Sequence, residues 1–256
     1  MGYLLFYEDL HFGNPENPDA LIPFAFSSYG EAVYLSSGSD GMLTGYRTGE
    51  DFGASETGVS FGRYVTSEGD AKFVSMSVST PGAANAPPRL GTVIMTEIMY
   101  NPPSGNQEEE YIELYNTTSV SINLGGRNTV PWRFTNGIEY SFPSGTLIPA
   151  NGYLIVARNP EAFSAAYTAP AGVAVLGPYG GRLDNAGEGV ELSKPASPEE
   201  GVEQVFFRED HVRYYPTAPW PPSANGGGDA LRRVSTIAFG NDPASWTAGS
   251  PTPGAP

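Results

Sequence analysis

The sequence predicts an all-β protein of sandwich or barrel class, and three observations carry that expectation. Thirty-two glycines and 24 prolines in 256 residues far exceed the roughly 12% combined usage of an average protein. Helices cannot absorb them, because an interior glycine costs about 1 kcal/mol and an interior proline about 3. An apolar content of 39% with 12% aromatics gives enough side chain to bury, which excludes a disordered chain. Short β-branched or alternating segments then recur at roughly 8–12-residue spacing between turn signals, the pattern of stacked antiparallel sheets.

In chain order, Gly2-Tyr3-Leu4-Leu5-Phe6 reads as the middle of a strand. It turns acidic at Glu8 and Asp9 and has no basic leader, so it is not expected to be a signal peptide. Strands are predicted over 32–36 and 42–47, joined by a plain hairpin turn at Ser39-Asp40-Gly41, and over 59–64 and 73–77. Asn85-Ala86-Pro87-Pro88-Arg89-Leu90 reads as a linker. Beyond it, 92–99 is β-branched and stops at Asn101-Pro102-Pro103. Residues 110–116 alternate, with Ile112 and Leu114 on one face and Tyr111, Glu113 and Tyr115 on the other. Strands follow at 119–124, 132–135, 139–142, 146–148 and 152–157, with Asn136-Gly137 predicted as a type I′ turn. One short helix is expected after Asn159, with Pro160 at its first position and Glu161 in its first turn. Residues 174–176, 189–193, 202–208 and 230–234 complete the predicted strands.

The chain repeats itself. Gly2-Tyr3-Leu4-Leu5-Phe6 matches Gly152-Tyr153-Leu154-Ile155-Val156. Gly30-Glu31-Ala32-Val33-Tyr34-Leu35-Ser36 matches Gly187-Glu188-Gly189-Val190-Glu191-Leu192-Ser193, and Thr80-Pro81-Gly82-Ala83 matches Thr252-Pro253-Gly254-Ala255. Three blocks in one order point to a tandem duplication. The expected organisation is a partial first copy over 1–85, a linker over 86–91 and a complete copy over 92–256. The first copy contains only what corresponds to the later part of the second, from about residue 152. A half sandwich of that kind exposes apolar faces and strand edges, so residues 1–85 are expected to pack either onto the complete copy or onto another chain, self-association included.

The full copy resembles a known family. Thr96-Glu97-Ile98-Met99-Tyr100-Asn101-Pro102 followed by Glu110-Tyr111-Ile112-Glu113-Leu114-Tyr115-Asn116 resembles the opening of bacterial lamin-tail domains. Trp132-Arg133-Phe134-Thr135, Ile148-Pro149-Ala150-Asn151-Gly152-Tyr153-Leu154, Leu183-Asp184-Asn185-Ala186-Gly187-Glu188 and Gly240-Asn241-Asp242-Pro243-Ala244-Ser245-Trp246 continue it. Here 127–131 interrupt the family's Leu-Gly-Gly-Trp pattern between Gly126 and Trp132. The resemblance implies an immunoglobulin-like β-sandwich without catalytic residues, of a kind found in tandem in large exported or cell-surface bacterial proteins.

Composition narrows the partners. Thirteen basic against 28 acidic residues give a net charge of −15, and Lys72 and Lys194 are the only lysines. That field repels phosphate backbones and anionic lipid, so neither nucleic acid nor a membrane surface is an expected partner. No segment approaches the ~18 consecutive apolar residues of a membrane span. With no cysteine there is no disulfide, thiolate nucleophile or thiolate-ligated metal.

Candidate chemistry is sparse. His11 and His211 are the only histidines, both set among charges and away from any G-x-S-x-G motif, and read as surface residues. Glu108-Glu109-Glu110 are weak calcium candidates, since calcium takes several oxygens. Consecutive strand residues point to opposite faces, however, and a solvated loop is the simpler reading. The glycine clusters at 177–181 and 226–228 lack the lysine and helix of a phosphate loop and read as turns. Asn116-Thr117-Thr118 is a sequon. Tyr214, Tyr215 and Trp220 form an aromatic cluster that reads either as a ligand platform or, with Trp220 and Trp246 plugging the open end of the sandwich, as structure, the plug being favoured. The function expected is a non-catalytic interaction, adhesion or spacer module of an exported protein, with a protein or glycan ligand and no cofactor. The alternative is a carbohydrate-binding module attached to an enzyme elsewhere in the parent chain.

Overall fold

The computed structural model describes residues 2–13, 16, 22–126, 130–198, 201 and 203–255. They fall into two units, Met1–Tyr64 with Ala71–Arg89, and Val65–Asp70 with Leu90–Pro256.

In the first unit, one turn of helix α1 (Glu8–His11) precedes the long antiparallel hairpin of β1 (Gly30–Ser39) and β2 (Met42–Gly53). Ser39 pairs with Met42, and both residues between them have left-handed backbone, Asp40 at φ 52° and Gly41 at φ 77°. This is the type I′ geometry that matches strand twist. Tyr34 lies flat across Gly49, where a Cβ would collide with its ring, and the Arg47 guanidinium covers the ring at 3.7 Å. A second hairpin joins β3 (Phe61–Val65) to β4 (Ala71–Ser75). In place of a sandwich core, the unit has a chain of rings running from Phe12 through Phe24, Phe26 and Phe52 to Phe61, at centroid separations of 4.8 to 5.7 Å. Residues 2–6 do not form the expected strand. The similar sequence at 152–156 runs into a strand held by neighbours on both sides, and among the described residues 2–6 have no such neighbours.

The second unit stacks two sheets. The larger is built from β5 (Val93–Met99), β6 (Tyr111–Asn116), β11 (Tyr153–Ala157), β12 (Ala174–Leu176), β15 (Ala230–Arg233) and β16 (Trp246–Gly249), ordered β12-β11-β6-β5-β15-β16. Only the β11–β12 pair is parallel. The smaller contains β8 (Arg133–Asn136), β9 (Tyr140–Ser141), β13 (Glu188–Pro195) and β14 (Phe206–Tyr214), ordered β14-β13-β8-β9. A two-residue pair, β7 (Ile122–Asn123) with β10 (Leu147–Ile148), closes one side.

Between the sheets, Val93, Met95, Ile112, Leu114, Leu154 and Val156 meet Phe134, Val190, Leu192 and Val212, all buried. The outer face of the larger sheet is covered too. Helix α2 (Pro160–Ala166) lies over Met99, Tyr111, Ile155 and Ala157 through Phe163. Asn159 caps the helix, its Oδ1 accepting from the amides of Glu161 and Ala162, and Pro160 opens it.

Two local expectations need correction. Asn136-Gly137 is not a two-residue type I′ turn. Asn136 stays in β8, paired with Glu191 of β13, and only Gly137 has positive φ. Register between β8 and β9 resumes at Phe134–Tyr140, so residues 135–139 separate the nearest paired positions of this hairpin. The strand placed at 202–208 begins at Phe206 and continues to Tyr214; Val202 lies outside the described residues, as do 127–129 of the insertion.

Candidate functional site

The polar interior of the second unit centres on two glutamates of the larger sheet. Glu97 and Glu113 are paired directly across β5 and β6 and both are buried. A register shift between Met95 and Glu97 puts Glu97 on the outer face, beside Glu113 and Tyr111. The Tyr111 hydroxyl donates to Glu97 Oε1. The turn at 252–254 closes over both: the Thr252 amide and hydroxyl donate to Glu97 at 3.1 Å, and the Gly254 amide donates to Glu113 Oε2. Thr96 Oγ1 supplies Glu113 Oε1 at 2.6 Å, and Arg232 Nε stands 3.6 Å from Glu97 Oε2. Burial raises the pKa of both carboxyls, Glu113 to about 7. Every oxygen of the pair is engaged by the protein's own groups.

The Glu108-Glu109-Glu110 run diverges. Glu108 faces Arg158 Nη2 at 3.2 Å, while Glu109 accepts from Ser104 Oγ and Asn106 Nδ2. Glu110 turns fully inward and accepts from the Tyr179 hydroxyl at 3.0 Å and the Leu183 amide at 2.9 Å. Its other oxygen lies 4.0 Å from Arg158 Nη1, and burial lifts its pKa to about 7. No group of three or more His, Cys, Asp or Glu able to hold a metal ion occurs among the described residues.

A second buried constellation joins the sheets. Asp210 of β14 pairs with Arg233 of β15 at 2.7 Å. Next to it, Glu209 accepts from Val93 N at 3.2 Å and from the Thr92 amide and hydroxyl, with Lys194 Nζ 3.2 Å from its other oxygen. These carboxylates hold the bulged strand β5 to the facing sheet.

Of the three aromatics named as a possible ligand contact, two are buried. Tyr214 is fully buried and stacked on Tyr100 at 4.5 Å, and Trp220 is buried beside Trp246 at 6.3 Å. Neither offers a face to solvent, as the plug reading expects. Tyr215 alone is exposed, at 40%, and Arg213 Nε donates to its hydroxyl. His11 is exposed, while His211 sits in β14 opposite Glu191. The sequon asparagine is fully buried: Asn116 Nδ2 donates to the Val120, Ile148 and Pro149 carbonyls and Oδ1 accepts from Thr118. In the folded unit its amide is not available to a glycosyl donor. An open depression on the smaller sheet is lined by Arg133, Phe134, Thr135, Glu139, Tyr140 and Ser141.

Sequence reasoning missed Glu97, Glu113, Asp210 and Arg233. Alternation did place Glu113 on the Tyr111 face, but its partners lie far along the chain.

An immunoglobulin-like β-sandwich whose buried carboxylates are bound to its own strands and turns is thus the class this unit defines. Residues 86–205 match the family model described as Lamin Tail Domain, which supports the resemblance drawn from the motifs. The matched range runs from before β5 through β13, and β14 to β16 complete both sheets beyond it. No curated protein and no solved structure matches the chain.

Proposed function

We propose that the chain is a non-catalytic interaction module, an adhesive or spacer element of a larger exported or cell-surface protein with a protein or glycan ligand. The observation that carries this reading is the engagement of the buried carboxylates: Glu97, Glu113, Glu209 and Asp210 each bind amides, hydroxyls or cations of the fold itself. A hydrolase of the two-carboxylate type needs its pair free about 5–10 Å apart across an accessible cleft. The lamin-tail match supports the same reading.

The first unit fits the plan as a partial copy. Gly30 and Gly187 open equivalent strands with φ of 94° and 106°, each packed where a Cβ would strike the backbone ending the partner strand. β1 pairs with β2 as β13 pairs with β14. Thr80–Ala83 and Thr252–Ala255 close the same hydrogen-bonded turn, at 3.1 and 3.0 Å.

Titration calorimetry of the full chain against a polysaccharide panel tests the alternative of a carbohydrate-binding module. Saturable binding lost in Tyr215→Ala would replace the protein-interaction reading, and release of reducing sugar would end the non-catalytic one. The module is further proposed to work without a cofactor: melts in millimolar calcium and in chelator should coincide, and a rise with calcium would reveal a bound ion.

A further inference from the structure

The first unit leaves open an edge that its counterpart covers. In the second unit β13 is flanked on both sides, by β14 and by β8, and the β8 side is paired antiparallel with Glu191 opposite Asn136, Leu192 opposite Phe134 and Ser193 opposite Arg133. The matching residues of β1 are Tyr34, Leu35 and Ser36. Among the described residues β1 pairs with β2 alone. One side chain differs accordingly: Leu192, packed between the two sheets with β8 at its side, is 0% exposed, and Leu35 at the matching position is 64% exposed. A long strand with free amides and carbonyls along one side is a template for pairing.

We infer that the free edge of β1 is a docking site for one antiparallel strand donated by a partner polypeptide. The inference rests on the interaction-module reading and specifies how the partner is held. Main-chain hydrogen bonds supply the affinity and alternate side chains the selectivity. The chemistry of the donor strand follows from what occupies the equivalent edge and from charge. Opposite Leu35 it presents an aromatic or aliphatic side chain, as Phe134 does to Leu192. Towards the Gly30 end it is basic, because Glu31, Glu50 and Asp51 lie there and Arg47 is the one basic residue of the hairpin. The same acidity disfavours a second copy of the hairpin as occupant.

The test uses the full chain and a fluorescent peptide with the sequence of residues 130–142, the segment that covers the matching edge in the second unit. Fluorescence anisotropy should rise saturably, and two lysines added at the peptide's C-terminus should tighten binding at low salt. Leu35→Asp and Leu35→Pro should each weaken binding by about tenfold or more. Hydrogen exchange should show new protection confined to 33–37. Circular dichroism of both variants keeps a folding defect apart from a binding defect. A flat anisotropy up to about 1 mM peptide, equal binding by a Phe134→Asp peptide, or binding indifferent to both Leu35 variants would overturn the edge assignment. The module reading would stand in those cases. Leu35-dependent dimerisation in sedimentation would overturn the donor in favour of a second copy. A glycan ligand at Tyr215 would establish the carbohydrate-binding alternative for the module without altering the peptide result.

Discussion

Asp210 of the smaller sheet and Arg233 of the larger meet at 2.7 Å, and the pair closes on a single residue of β5. The Met95 amide donates to Asp210 Oδ2 at 2.8 Å, and Arg233 Nη1 donates to the Met95 carbonyl at 3.0 Å. Met95 begins the register shift of β5, where the regular ladder cannot satisfy its peptide groups. The ion pair replaces the missing strand neighbour at the one place where the sheet is interrupted. Arg233 is fully shielded and its remaining nitrogens bond the Ala238 carbonyl.

Removing one partner strands the other. Asp210→Ala leaves a buried guanidinium and an unmet Met95 amide, and a loss of about 3–5 kcal/mol is expected. Asp210→Asn, which still accepts from Met95, should lose less. The double variant Asp210→Leu with Arg233→Met should recover part of the loss but not all, since the Met95 groups stay unpaired. Urea denaturation of the three variants gives the order directly.

Glu110 makes stability depend on pH. Its folded pKa, near 7, lies above the ordinary value of 4.5. The folded state therefore holds the proton more tightly than the unfolded chain. That stabilisation is complete below about pH 4.5 and disappears as pH rises through 7. Glu113 has the same sign and a similar window. The melting temperature should be higher at pH 5 than at pH 8. Glu110→Gln keeps an acceptor for Tyr179 and Leu183 without the charge, and should flatten that slope. An equally steep profile in the variant would remove Glu110 as the cause.

The turn at 252–254 is expected to be worth more at high pH. Thr252→Pro removes both the amide and the hydroxyl that bind Glu97, and a cost of about 2–3 kcal/mol at pH 8 is expected. At pH 5, where a larger fraction of Glu97 carries a proton, the cost should shrink. Paired melts of wild type and variant at the two pH values measure the difference.

Helix α2 is short enough for its cap to matter. Asn159→Ala deletes the acceptor for two amides and should cost about 1 kcal/mol, while Asn159→Asp should be close to neutral. Denaturant titration resolves the two, with the midpoint shifting and the slope unchanged.

Local rules carried the sequence reading where local rules act. The helix start at Asn159-Pro160-Glu161, the turn at Asp40-Gly41 and the two faces of β6 depend on residues within a few positions of one another. Asn136-Gly137 misled because long-range pairing of Asn136 with Glu191 kept it in strand. Strand β16 was missed: four residues beginning at Trp246 and ending at Gly249 carry no alternation, and pairing with β15 defines them. The polar interior was illegible for the same reason. Glu97 finds Thr252 and Asp210 finds Met95 across separations that no spacing rule covers. Trp220 was legible only as a pair of alternatives, and its burial beside Trp246 depends on residues far along the chain.

The closure of the last turn over the first strand bears on how the second unit comes into being. β5 finds its neighbour β15 only once residue 233 exists, and Glu97 and Glu113 lack the amides of the closing turn until 252–254 arrive. A chain emerging from the ribosome at roughly 5–20 residues per second therefore spends on the order of ten seconds with its central strand uncovered. The unit cannot complete its fold before residues 252–254 have been made. A nascent chain stalled before residue 230 would present the open edge of β5 to chaperones and to other chains.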